Sequence, residues 1–225
     1  MRSLSADSQQ ISRSSGEPFF FWYLFALFLI VLTAFPAHAI INSNSLAPIS
    51  ALLHLHAISM GVWFALAACQ AGLIRSAKVQ LHRRLGAASI LLVVLMLATG
   101  IIVSMQNAAR TGDSRILVIN GIAVVFFVIL YALGLAMRKR GEWHKRFMAF
   151  AALALTGPAF GRVGYILNIG EELIFACVLG FMFAIPIYDR LKHKAVQKPT
   201  WIALGVSAAQ VVTIGLALSQ IGGTP

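Results

Sequence analysis

The residues able to do chemistry in this chain are six histidines and one arginine set among long apolar runs. His54 and His56 open the stretch ISALLHLHAISMGVWFALAACQAGLIRSAKVQLHRRLG, which closes on His82, Arg83 and Arg84. Imidazole ligates metals and haem iron and hydrogen-bonds to carbonyls. His54 and His56 lie two residues apart, about 200° around a helix, so an undistorted helix points them in different directions. From His56 a stripe runs through Ser59, Trp63 and Gln70, near the i+3 and i+7 positions, and this polar, aromatic face is expected to look into a bundle. His54 and His56 are the candidate metal ligands.

Arg162, in TGPAFGRVGY, is the most informative single residue. Its guanidinium cannot lose its proton, and a charge in hydrocarbon is costly. It is expected either to snorkel outward or to meet an anion or carbonyl, such as a haem propionate or a quinone oxygen. Pro158 breaks the helix one turn earlier, and Gly157, Gly161 and Gly164 allow close approach. Arg162 and the His54/His56 pair fall at similar depth, as one outer layer.

His82 and His144 form an inner pair. Each precedes basic residues, in LHRRLG and WHKRFM. Arg83, Arg84, Lys145 and Arg146 are therefore candidate contacts for lipid phosphates. His144 lies eighteen residues before Arg162, so in an unkinked helix the two share a face at opposite ends of the bilayer. His193, in RLKHK, reads as cytoplasmic surface, and His38 sits at the outer edge of the first apolar run. Cys69 and Cys177 lie inside apolar runs and read as packing residues.

These residues need elements to hold them, and composition says which. The chain has 225 residues, is 59% hydrophobic and only 11% charged, and has mean hydropathy +0.84. That is far above a soluble domain, so the solvent is expected to be lipid. The predicted fold class is all-α, a polytopic membrane bundle of seven transmembrane helices. The spans fall near 19–41, 48–74, 84–105, 115–137, 146–167, 172–189 and 200–221. The first could instead be a cleaved signal, since Ala37-His38-Ala39 follows a basic start and an apolar middle; six spans then remain. Its length and aromatic opening favour a retained helix. Residues 1–18 read as a disordered cytoplasmic tail, 19–221 as one transmembrane domain, and 222–225 as a short external tail.

The formal charge is +11, but the basic residues sit between apolar runs, which argues for topology rather than nucleic acid. Fifteen of the eighteen lie in the N-terminal tail and in the connections after spans 2, 4 and 6; Arg110 and Arg115 lie on the opposite side, and Arg162 within a span. The positive-inside rule then predicts a cytoplasmic N-terminus and an external C-terminus, in a bacterial inner membrane. The echo of LHRRLGAASILL in WHKRFMAFAALAL suggests that spans 2–3 and 4–5 are a repeated helix pair. Asp113, Glu171, Glu172 and Asp189 read as edge or loop residues. With no central carboxylate, a cation pump or carboxylate-bridged metal site is disfavoured. Phosphate loops, dinucleotide fingerprints and serine-nucleophile motifs are absent from the sequence.

The order H-x-H…W…Q…LI, then LHRRLG, then HKRxM and P-A-x-G-R resembles an uncharacterised family of bacterial multi-pass membrane proteins, over about residues 49–166. More distantly, histidines spread over both membrane halves resemble cytochrome b561-type proteins, in which such pairs ligate two b haems. The chain departs from that pattern: His82 and His144 are shallow and flanked by cations, and of the remaining histidines only His38 could give the outer pair a ligand from a second helix. Three functions are weighed. The first is a non-enzymatic accessory, assembly or lipid-contacting protein, with membrane lipids and another membrane subunit as partners. The second is a redox protein holding haem b, quinone or copper. The third is a small transporter built around Pro158 and Pro186.

Overall fold

The computed structural model describes residues 17–44 and 50–222, and every element in them is a helix. In chain order these are α1 (Pro18–Ile41), α2 (Ala51–Arg75), α3 (Val79–Thr111), α4 (Arg115–Ala136), α5 (Gly141–Ala154), α6 (Gly157–Leu167), α7 (Glu171–His193) and α8 (Lys198–Gly222). The tails expected at residues 1–16 and 223–225 lie outside the described residues, as does the expected start of the second span at 48 and 49.

Local chemistry sets the boundaries. Pro18 opens α1, where its missing N–H costs nothing. The Ser50 hydroxyl caps α2 by accepting from the Leu53 N–H at 3.1 Å. Gly112, at φ +70°, ends α3 in the left-handed conformation that glycine adopts without penalty. Six helices are long and apolar enough to cross a membrane, and α5 with α6 makes a seventh if a 48° bend is allowed within one span.

That bend falls at the break expected from Pro158, and it removes the common face that an unkinked helix would have given His144 and Arg162. Pro158 has no N–H to offer the Ala154 carbonyl four residues back. The orphaned oxygen is taken by Gln210 of α8, whose Nε2 donates at 2.9 Å. The Thr156 hydroxyl donates to the Leu153 carbonyl at 2.6 Å. Polar side chains thus make a broken helix tolerable inside an apolar bundle. A second difference is length. α3 has 33 residues, about 50 Å of helix against ~30 Å of hydrocarbon. It takes up His82, Arg83 and Arg84, which the sequence suggested for the connection and span edge, as its first turns.

The core surrounds α5, whose residues 149–154 are all buried, and takes buried side chains from the helices around it. Leu27, Phe64, Phe127, Leu130, Phe150 and Ile185 are fully buried. α1 is part of it: Phe20, Tyr23, Leu24, Leu27, Val31 and Ala34 are buried, and the Tyr23 hydroxyl donates to the Phe181 carbonyl of α7 at 3.2 Å. Successive spans run antiparallel, α5 and α6 counting as one bent span. The N-termini of α1, α3, α5 and α8 therefore share one end with the C-termini of α2, α4 and α7. Most Arg and Lys lie there, and it is called the basic end below.

Candidate functional site

His82 and His144 meet at the basic end. Each is the fourth residue of its helix, α3 and α5. Each turns its Nδ1 back onto a carbonyl of the helix before: His82 onto Gln70 of α2 at 3.3 Å, His144 onto Gly134 of α4 at 2.8 Å. A carbonyl only accepts, so Nδ1 carries a proton in both rings, and Nε2 is the nitrogen left to meet a ligand. The ring centroids are 6.1 Å apart and the planes 86° from parallel. The matching anchors give the two helix pairs one local geometry, in line with the echo between their sequences.

Gln70 belongs to this end, not to the outer layer. Its Nε2 donates to the His82 carbonyl at 3.2 Å, and its Oε1 is buried with no hydrogen-bond partner among the described residues. The stripe on α2 is too long to serve one depth: from His56 to Gln70 it climbs about 21 Å. Trp63, midway, is a core residue edge-on to Phe64 and Phe127.

His54 and His56 part, as their angular spacing requires. His54 is exposed and donates from Nδ1 to the Ser50 carbonyl at 3.0 Å. His56 faces α3, with Nδ1 3.2 Å from the Thr99 hydroxyl and its ring against Gly100, where a Cβ would stand 2.8 Å from Cε1. The Thr99 hydroxyl donates to the Leu95 carbonyl at 2.8 Å, so it accepts from His56. The two histidines have separate surroundings, and Arg162 joins neither.

Beside the imidazole pair lies an ion-pair network that the sequence reading missed. Arg146, proposed for lipid headgroups, is fully buried. Its guanidinium forks onto the buried Asp189 carboxylate of α7, with Nε to Oδ2 at 3.2 Å, and binds Glu142 Oε2 at 2.6 Å. Asp189 also accepts from the Thr200 hydroxyl of α8 and from the Gln197 N–H at 3.1 Å. Lys145, the other residue of that motif, bridges Glu17 and Glu142 at 2.7 Å each. Glu17, Glu142 and His193 come close enough for a cation, but the Lys145 ammonium already holds both carboxylates. The signal for this network was Asp189, a carboxylate at the end of an apolar run; only the folded chain brings Arg146 to it. Arg83 and Arg84 are exposed.

At the opposite end, Arg162 turns toward α1. Its Nη1 donates to the Pro158 carbonyl at 3.0 Å, and its Cζ stands 4.3 Å from the Phe35 ring centroid. His38 packs edge-on to Tyr165 at 5.3 Å, and the Tyr165 hydroxyl donates to Asn42 Oδ1 at 3.0 Å. His144 and Arg162 do not share a face, because the helix breaks between them. Comparison with protein-family models, curated proteins and solved structures finds no match to this chain.

Proposed function

We propose that this chain is a multi-pass protein of the bacterial inner membrane that holds a redox metal centre, haem iron or copper, at the His82–His144 pair. One observation carries the reading: two imidazoles with anchored Nδ1 atoms and 6.1 Å between ring centroids. His82 and His144 would hold the ion through Nε2, and a centroid spacing of roughly 6 Å is within reach of metal–nitrogen bonds of about 2 Å. Anchoring the far nitrogen is how proteins orient histidine ligands and raise their basicity. Haem b or copper would supply one-electron chemistry. The chain's own part is to fix the ring tautomers through the Gln70 and Gly134 carbonyls. It also sets a positive surrounding through Arg83 and Arg84, which favours a reduced or anionic centre.

The test is an absorption spectrum with metal analysis on detergent-purified protein. The expected result is a Soret band or one copper per chain, abolished in His82→Ala and in His144→Ala. A colourless, metal-free preparation from haem- and copper-replete cells overturns the reading. The topology that goes with it has the basic end in the cytoplasm and the C-terminus outside. A C-terminal reporter active only outside the cytoplasm reads that directly.

A second reading is a non-enzymatic accessory or assembly protein that contacts anionic lipid and a neighbouring subunit. Arg83 and Arg84 favour it, exposed in the first turns of α3, whose N-terminus has no side-chain cap. Unchanged lipid binding in an Arg83→Ala, Arg84→Ala double variant removes that support.

A further inference from the structure

Among the described residues two arginines are withdrawn from the surface, and they are treated in opposite ways. Arg146 is neutralised by Asp189 and Glu142. Arg162 has no carboxylate partner among the described residues; its contacts are one carbonyl and one aromatic face. It also does not snorkel toward the nearer end. Its guanidinium is bonded to Pro158, one turn back toward the helix break, and is half-buried. A permanent cation so placed is costly unless an anion meets it. One of its five N–H groups is used on Pro158, which leaves a pair for a planar two-oxygen acceptor.

What surrounds it matches such a ligand. Phe35 and His38 repeat at i, i+3 on α1, with Asn42 just past its C-terminus, and Arg162 and Tyr165 repeat at i, i+3 on α6. The Tyr165–Asn42 and His38–Tyr165 contacts join the two segments about one turn beyond the Arg162–Phe35 contact. Tyr165 is exposed, so the cluster is open at its rim. A neutral carbonyl ligand, such as a quinone, would leave the charge uncompensated; an anion would not. We infer that Arg162, with His38 and Tyr165, forms a binding site for a phosphate group at the end of the bundle opposite the basic one. The occupant class is a phosphate ester, carried by an anionic phospholipid or free in solution. The inference is independent of the metal centre, which lies at the other end.

The experiment is native mass spectrometry of the full-length protein with phosphatidylglycerol, and with phosphatidylcholine of the same chains for comparison. The wild type is expected to bind phosphatidylglycerol preferentially. Arg162→Gln is expected to weaken that binding about tenfold, the scale of a lost charge-assisted fork, with Arg162→Lys in between. Arg110→Gln, an exposed arginine at the same end, is expected to leave it unchanged. Displacement of the lipid by millimolar glycerol 3-phosphate assigns the site to a free phosphate ester; no displacement assigns it to the lipid. Equal phosphatidylglycerol binding by wild type and Arg162→Gln overturns the inference. Should Arg162→Gln fail to fold, a His38→Gln, Tyr165→Phe double variant reads the same site. Weaker preference in it supports the site, and wild-type preference overturns it.

Discussion

At the scale of single residues, depth and partner decide what a charged group is for. Arg146 stands in a basic motif next to Lys145, yet it is buried against Asp189. Breaking a buried pair leaves an uncompensated charge, at a cost of about 3–5 kcal/mol, whereas replacing both partners with apolar groups of similar size is often neutral. Asp189→Asn is therefore expected to lower the thermal unfolding midpoint markedly, and Arg146→Met with Asp189→Leu to restore much of it, as measured by unfolding of the purified protein in detergent. Arg83→Met, on an exposed residue, is expected to leave the midpoint within the scatter of surface substitutions, roughly ±0.5 kcal/mol. Gly100 is a second such point. A methyl group there would meet the His56 ring at 2.8 Å, so Gly100→Ala is expected to push the ring off Thr99. Loss of the imidazole Nδ1–H resonance shift seen by NMR would record it.

At the scale of elements, the broken α5–α6 pair is held by a helix far away in sequence. Gln210 fills the place of the N–H that Pro158 lacks. Interhelical hydrogen bonds of this kind average ~0.6 kcal/mol and reach ~1.7 kcal/mol. Gln210→Leu is expected to destabilise by that order, and Pro158→Ala to relieve the dependence, so the two changes should be non-additive in a double-mutant cycle of unfolding free energies. The α2–α3 and α4–α5 pairs are tied alike, by an imidazole in the first turns of one helix bonded to a carbonyl near the end of the last. The sequence held the echo, since both motifs place histidine before a basic pair. It could not show that the two histidines face each other, because that depends on how two helix pairs pack side by side.

At the scale of the whole molecule, α1 is a structural member of the bundle. It buries six residues in the core, and Glu17 at its start pairs with Lys145. At about 1.5–3 kcal/mol for each large apolar side chain moved out of contact with solvent, an upper figure where the alternative surroundings are lipid, a chain cut after Ala39 is expected to lose stability and accumulate poorly. An intact-mass measurement of the purified protein checks the companion expectation, that residues 19–39 are retained. The all-helical architecture, with six or seven helices long enough to span, and the asymmetry of the basic connections were legible from sequence alone. The reason is that hydrocarbon thickness imposes a length on every helix and backbone hydrogen bonding forbids anything but a helix in a chain of this composition. What meets what was decided only by tertiary structure: His82 with His144, Arg146 with Asp189, Arg162 with Phe35 of α1. In water, an apolar stripe marks the inward face of a helix. In lipid the outward face is apolar too, so the rotation of each helix, and with it the company each polar side chain keeps, is fixed by packing between helices rather than by the pattern along any one of them.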